Sequence, residues 1–203
     1  MSESLSHPNQ EIYLIRHGET EWSLDGRHTS RTDLPLTDRG SERAGVLGDA
    51  LKSIHFDLVL TSPSLRARDT ARIAGYGQWA QVEPDLREWD YGAYEGHKTA
   101  DIQKEIQNWS VWTSPILDGE SIDQVAARAN EVIKRVLAVK GRVAIFSHAH
   151  FLRILAACWI ESPPLTAQHF VLETGSISIL GFERTNRAIV KWNVTPMIVE
   201  SRV

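Results

Sequence analysis

The stretch Glu11–Gly18, EIYLIRHG, decides how the rest of the chain is read. Glu11–Arg16 is a short apolar, β-prone run, the composition of a buried strand, and it stops abruptly at His17-Gly18. A strand that ends there delivers a cation, Arg16, and an imidazole, His17, to its carboxyl end. Two later segments repeat the pattern. Asp57–Thr61 (DLVLT) is a strand candidate followed by Ser62-Pro63-Ser64-Leu65-Arg66, and Arg142–Ser147 (RVAIFS) is another followed by His148-Ala149-His150.

Helical patterns lie between these strands. Thr37–Lys52 places Ala44, Leu47, Ala50 and Leu51 at helical spacing, and Ala67–Gly77 reads as a helix ended by Gly75 and Gly77. Residues 98–109 predict a weak helix and Trp112–Gly119 a turn-rich connection. The clearest helix carries Ile122, Val125, Ala126, Ala129, Val132, Ile133, Val136 and Leu137 on one face. Ser121 with Gln124 forms a capping box at its start. Phe151–Trp159 predicts a short apolar helix, and Ser176–Phe182 with Ala188–Trp192 the arms of a hairpin turning at Thr185-Asn186. Strands alternating with helices imply an α/β fold with a mostly parallel central sheet and helices on both faces. Residues 1–10 read as a loose tail and 11–203 as one domain. Ligands of such sheets bind beyond the carboxyl ends of the strands, where the three motifs above converge.

At 203 residues, 42% hydrophobic and 24% charged, the composition is that of a globular protein with a sizeable core. The single cysteine, Cys158, allows no internal disulfide and reads as a small core residue. MSESLSHPNQ has no signal-peptide pattern, and FLRILAACWI is too short to span a bilayer and carries Arg153, so a cytoplasmic protein without a membrane partner is expected. A net charge of −4 offers nucleic acid no general attraction. An anion must therefore be held by a local cluster of cations.

That cluster is at hand. Arg16, Arg66 and a protonated His148 would together neutralise a phosphate dianion, the guanidinium forks gripping its oxygens, and a helix starting near Ala149 would add backbone N–H donors. An imidazole in such a pocket can attack phosphorus, and the leaving oxygen then needs a proton from a nearby carboxylic acid. Leu86–Gly92 (LREWDYG) offers Glu88 and Asp90, and Trp89 beside Glu88 would desolvate it. His148 and His150 also form an H-x-H pair of the kind that binds metal, but no Asp-His follows it.

RHGETEW at 16–22, SPSLRARDT at 62–70, LREWDYGAYEG at 86–96 and SHAHFLR at 147–153 together resemble the histidine phosphatase superfamily, which includes cofactor-dependent phosphoglycerate mutases and many phosphatases. The four blocks fall in that family's order over roughly residues 11–155. TEWSLDGRHTSRTDLPLT with LREWDYGAYEG is most similar to its sedoheptulose bisphosphatase branch. The resemblance implies a phosphoglycerate mutase-like fold and phosphomonoester hydrolysis with no metal or other cofactor. It makes His17 the phosphorylated nucleophile, Glu88 rather than Asp90 the proton donor, and Arg16, Arg66 and His148 the phosphate pocket. Ser23, Thr29, Ser30, Tyr91 and Ala149 are the expected substrate contacts, Ala149 standing where the family has glycine. Arg27, His28, Arg31, His97 and Lys98 would rim the mouth and could hold a distal phosphate, with Trp109 and Trp112 in a lid. The expected partner is a small phosphorylated metabolite such as a sugar phosphate or bisphosphate, with homo-oligomers left open. Phosphoglycerate mutase is the alternative, disfavoured because residues 99–119 hold only one basic residue, Lys104. A non-catalytic phosphate-binding module is the other.

Overall fold

In the computed structural model, which describes residues 10–197, Glu11–Arg16 forms the strand read from its composition. The elements run β1 (Glu11–Arg16), α1 (Glu21–Asp25), α2 (Asp38–Leu51), β2 (Leu58–Thr61), α3 (Leu65–Ile73), β3 (Ala80–Val82), α4 (Thr99–Glu105), α5 (Ile122–Leu137), β4 (Arg142–Ser147), α6 (Ala149–Trp159), β5 (Ile177–Glu183) and β6 (Asn186–Val194). The strands make one sheet in the order β3-β2-β4-β1-β5-β6. β3, β2, β4 and β1 are mutually parallel, and β5 and β6 extend the sheet as an antiparallel hairpin. This is the α/β fold with a mostly parallel sheet that the alternation of elements predicts.

Strand alternation splits the core into two layers. Ile12 and Leu14 of β1, Leu60 of β2 and Val143 and Ile145 of β4 face α5 and α6. Their neighbours Tyr13, Ile15, Val59, Ala144 and Phe146 face α2 and α3. A one-residue slip would exchange the two sets, so the register is specified on both sides. α5 behaves as its periodicity predicts. Val125, Ala126, Ala129, Val132, Ile133 and Val136 are buried, each larger one contributing about 1.5–3 kcal/mol. Ser121 accepts from the Gln124 amide while Gln124 reaches back to the Ser121 amide, closing the capping box.

The differences from the sequence reading have local causes. α3 starts at Leu65, two residues before the predicted Ala67, and ends at Ile73 because Gly75 turns away with φ 92°. α6 starts at Ala149 rather than Phe151. The hairpin turns at Arg184-Thr185, Arg184 having φ 58°, and β6 begins at Asn186. α1 has no buried residue and β3 is three residues long, so neither leaves a hydrophobic period to read. Gln10, assigned to the tail, is buried, and its amide donates to the carbonyls of Val136 and Val139 at the end of α5. The rest of that tail, with His7, lies outside the described residues. Among the described residues no helix is long and apolar enough to cross a membrane.

The loop after β1 is held by a backbone crossing. A Cβ on Gly18 would lie 2.5 Å from the Gly40 carbonyl oxygen, and one on Gly40 would lie 2.2 Å from that of Glu19. Only two glycines allow the first turn of α2 to touch this loop. The Gly18 amide also donates to Thr70 Oγ1 of α3 at 2.9 Å. His17 is thus clamped from two helices.

Candidate active site

Parallel pairing of β1 with β4 sets Arg16 opposite Ser147, so His17 and His148 emerge side by side. The His17 amide donates to the Ser147 carbonyl at 3.0 Å, and the two imidazoles lie 5.2 Å apart, centre to centre. His17 Nδ1 donates to its neighbour's carbonyl, Gly18 O, at 2.7 Å. That bond assigns the proton to Nδ1 and leaves the Nε2 lone pair available for attack. Burial, with Arg66 and Arg16 close by, holds the His17 pKa well below its ordinary 6.5, so the ring is neutral at physiological pH.

The cations sit around it. Arg16 donates from Nη1 to the Leu172 carbonyl at 2.6 Å. Arg66, on α3, is 1% exposed and donates to the carbonyls of Thr32 and Thr29, each at 3.2 Å, and to that of Ser30 at 3.5 Å. Neither has a carboxylate partner among the described ion pairs. His148 is fully buried and shares a 2.8 Å hydrogen bond with Ser62 Oγ through Nε2. The expectation of a protonated His148 is corrected: burial, then Arg66 and His17, push its pKa well below 6.5. Arg16 and Arg66 carry the positive charge.

Glu88 accepts three backbone hydrogen bonds. Oε1 takes the amides of Trp89 at 2.9 Å and Phe151 at 2.8 Å, and Oε2 that of His150 at 3.1 Å. Two of these amides open α6, so the N-terminus expected to bind phosphate instead orients the carboxylate. Trp89, buried beside Glu88, meets the carboxylate through its amide, and its indole N–H donates to the Glu120 carbonyl at 2.8 Å. Asp90, the other acid of this segment, pairs with Arg31.

Arg16, His17 and Glu88 line one cavity of about 520 Å³ with Ser23, Thr29, Tyr91 and Ala149. Among the described residues five buried side-chain polar atoms lack a hydrogen-bond partner. Two of them, Arg16 Nε and Trp109 Nε1, belong to residues of the cavity wall, and two more, Arg66 Nε and His148 Nδ1, to residues that touch wall residues, Arg66 bonding the Thr29 carbonyl and His148 lying beside His17. Buried polar groups are otherwise almost always paired, so their concentration marks a place for a polar ligand.

A model of the histidine phosphatase superfamily (branch 1) matches residues 12–195. The chain belongs to that superfamily. An acid phosphatase of Mycobacterium tuberculosis is 39% identical, over 92% of this chain and 94% of that protein. The sedoheptulose 1,7-bisphosphatase of Saccharomyces cerevisiae is 34% identical, over 72% of this chain and 66% of that protein. The solved structure of a Mycobacterium tuberculosis open reading frame product superposes with a TM-score of 0.89 at 38% identity, covering 93% of this chain and all of that one. The chain is accordingly an enzyme, and its class is phosphatase.

This histidine phosphatase places its other predicted contacts unevenly. Tyr91 is buried, and its hydroxyl shares a 2.6 Å hydrogen bond with His150 Nδ1; burial and Glu88 raise its pKa well above the ordinary 10, so it stays protonated. The Ser23 hydroxyl reaches the cavity but is also bonded to the Thr20 amide and carbonyl, completing the α1 cap. Ser30 lies outside the cavity wall; its carbonyl helps hold Arg66 and its amide donates to Glu95. Of the rim cations only Arg27 and His28 line the cavity. Arg27 and Lys98 are paired with Asp25, Arg31 with Asp90, and His97 is exposed. His28 is buried against Tyr91 and Trp109, and burial lowers its pKa to about 4. His148 and His150 do not converge as metal ligands would, one bonding Ser62 and the other Tyr91.

Sequence reading missed Arg153. It lines the cavity with its guanidinium 4.4 Å from the Trp112 ring centre, donating to the carbonyls of Ala167 and Gln168. Burial lowers its pKa to about 10, yet it remains a cation with no carboxylate bonded to it. Its signal was a lone arginine inside an apolar run.

Proposed function

We propose that this histidine phosphatase hydrolyses the phosphomonoester of a small polyhydroxylated metabolite, a sugar phosphate or bisphosphate such as sedoheptulose 1,7-bisphosphate, through a phosphohistidine at His17. The observation that carries it is a neutral His17 with Nε2 unpaired, beside unpaired nitrogens of Arg16, Arg66 and His148. His17 Nε2 attacks phosphorus as the ester P–O bond breaks, and the Glu88 carboxyl proton goes to the departing oxygen. Water then attacks phosphorus as the P–N bond breaks, giving its proton to the Glu88 carboxylate and returning His17 neutral with inorganic phosphate. Arg16 and Arg66 balance the charge on the equatorial oxygens throughout.

The bisphosphate part of the reading rests on Arg153, the cation of the cavity wall beyond Arg16 that no carboxylate neutralises. Thr99, Gln103, Ser110 and Gln168 supply hydroxyls and amides suited to a polyol. The yeast relative named for a bisphosphate points the same way. Phosphoglycerate mutase finds less support. Residues 99–112 give this wall Thr99, Gln103, Trp109, Ser110, Val111 and Trp112 but no cation, and Lys104 is exposed and paired with Asp101.

The test is rapid acid-free quenching with radiolabelled substrate. Label should appear on His17 as an alkali-stable, acid-labile phosphoramidate and be absent from His17→Ala, which should fold but not turn over. Turnover by His17→Ala, or transfer of phosphate between carbons without release, would overturn the reading.

A further inference from the structure

Outside the cavity, one half-buried cation has an arrangement that the mechanism above does not use. Arg128, on α5, is 11% exposed in its side chain. Nε and Nη2 grip both oxygens of Glu120, each at 2.8 Å. Nη1 donates to the carbonyls of Asp85 at 2.6 Å and Arg87 at 3.0 Å, and Nη2 reaches that of Glu88 at 3.5 Å. Glu120 in turn accepts the Asp90 amide at 3.0 Å, and its carbonyl accepts the Trp89 indole N–H. Every residue from Asp85 to Asp90 except Leu86 is thus bonded to this one ion pair, through main chain or indole.

The same guanidinium lies 5.0 Å from the centre of the Phe151 ring. Phe151 supplies the 2.8 Å amide bond to the Glu88 carboxylate. Arg128 therefore touches both ends of the Glu88 side chain's frame: the backbone that carries it and the residue whose amide orients its carboxylate. A rigid planar fork is needed for this, since lysine cannot serve two carboxylate oxygens and three carbonyls at once. A surface ion pair would gain little from such geometry; here the segment it organises carries the proton donor.

We propose that Arg128, paired with Glu120, is the positioning residue that aims Glu88 at the leaving-group oxygen. The inference rests on the proposed acid role of Glu88. A small misplacement of a catalytic group costs up to about 10²-fold. The cost should fall on departure of poor leaving groups, because good ones need little protonation.

The experiment compares kcat/KM, which covers steps through departure of the alcohol, for p-nitrophenyl phosphate and for glycerol 2-phosphate. Arg128→Lys and Glu120→Gln are measured beside Glu88→Gln, with thermal melts of each. Both variants should melt cooperatively, lose about 10- to 100-fold on the alkyl ester and change less than about threefold on the aryl ester. In the Glu88→Gln background Arg128→Lys should leave the alkyl-to-aryl ratio unchanged. Equal losses on both esters, no loss on either, or failure of both variants to fold would make Arg128 merely structural and overturn the inference. A Glu88→Gln enzyme without leaving-group dependence would instead overturn the acid role itself, so the two failures are distinguishable.

Discussion

His17 and His148 stand just past the ends of adjacent parallel strands, with the backbone N–H of the first bonded to the residue preceding the second. Their 5.2 Å separation is therefore set by sheet register rather than by side-chain choice. Each ring shares the same two guanidinium neighbours, and both are held neutral by burial and by those charges.

This neutrality predicts the pH profile. A group whose folded pKa is depressed stays unprotonated until the pH falls through that lowered value. The His17 nucleophile should thus remain competent well below pH 6.5. Once corrected for the substrate's own second ionisation, kcat/KM should show no loss from His17 protonation as the pH falls through 6.5. An acid limb at an ordinary imidazole pKa, near 6.5, would contradict the burial argument.

Glu88 and Asp90 differ in what surrounds them, three amides for the first against the Gly92 amide and one exposed arginine for the second. Glu88→Gln should lower kcat/KM for alkyl phosphates by about 10²–10⁴-fold and for aryl phosphates far less. Asp90→Asn should leave the ratio of the two alone. The reverse pattern would exchange their roles.

Arg153 should discriminate between substrates of one and two anionic groups. Arg153→Met is expected to raise KM for sedoheptulose or fructose bisphosphate by at least about tenfold, about 1.4 kcal/mol, and to change kinetics on the monophosphates little. Uniform loss on all four substrates would mean that the guanidinium serves the 164–172 segment rather than the ligand.

Gly40→Ala reaches the site from outside it. Its new methyl would press on the Glu19 carbonyl, and backbone must move to accommodate it. Overpacking of this kind costs about 1–3 kcal/mol, and because the strained segment adjoins His17, activity should fall further than the melting temperature alone explains. Gly45→Ala, where a Cβ meets nothing within 4 Å, is the control. Equal behaviour of the two would show that the crossing is not tight.

The centre of the site was legible because it rests on strand ends, where hydrophobic runs stop at charged residues. EIYLIR ending at His17 and RVAIFS ending at His148 announce themselves in composition. The rim was not, because its cations are defined by partners distant in sequence. Nothing around Lys98 reveals that Asp25 will hold it, and nothing around Arg31 points to Asp90. Ser30 and Ser23 were read by register alone, which gives a neighbourhood but not which group faces the cavity. Arg153 was discounted inside FLRILAACWI, although one cation on an otherwise buried helix face is itself a sign of a ligand-facing position.

The sheet order gives the enzyme a history as well as a shape. β1, which leads into His17, and β2, which leads into the α3 helix carrying Arg66, are not paired; β4 lies between them and joins them. A chain still emerging from the ribosome holds its nucleophile and one phosphate-gripping arginine beyond the ends of two unconnected strands until residues 142–147 arrive and slot between them. Only late in synthesis can the pocket close, and pairing across such sequence distances is slow. Phosphatase activity in a nascent or refolding sample would thus report insertion of the central strand, and early local structure alone would stay silent.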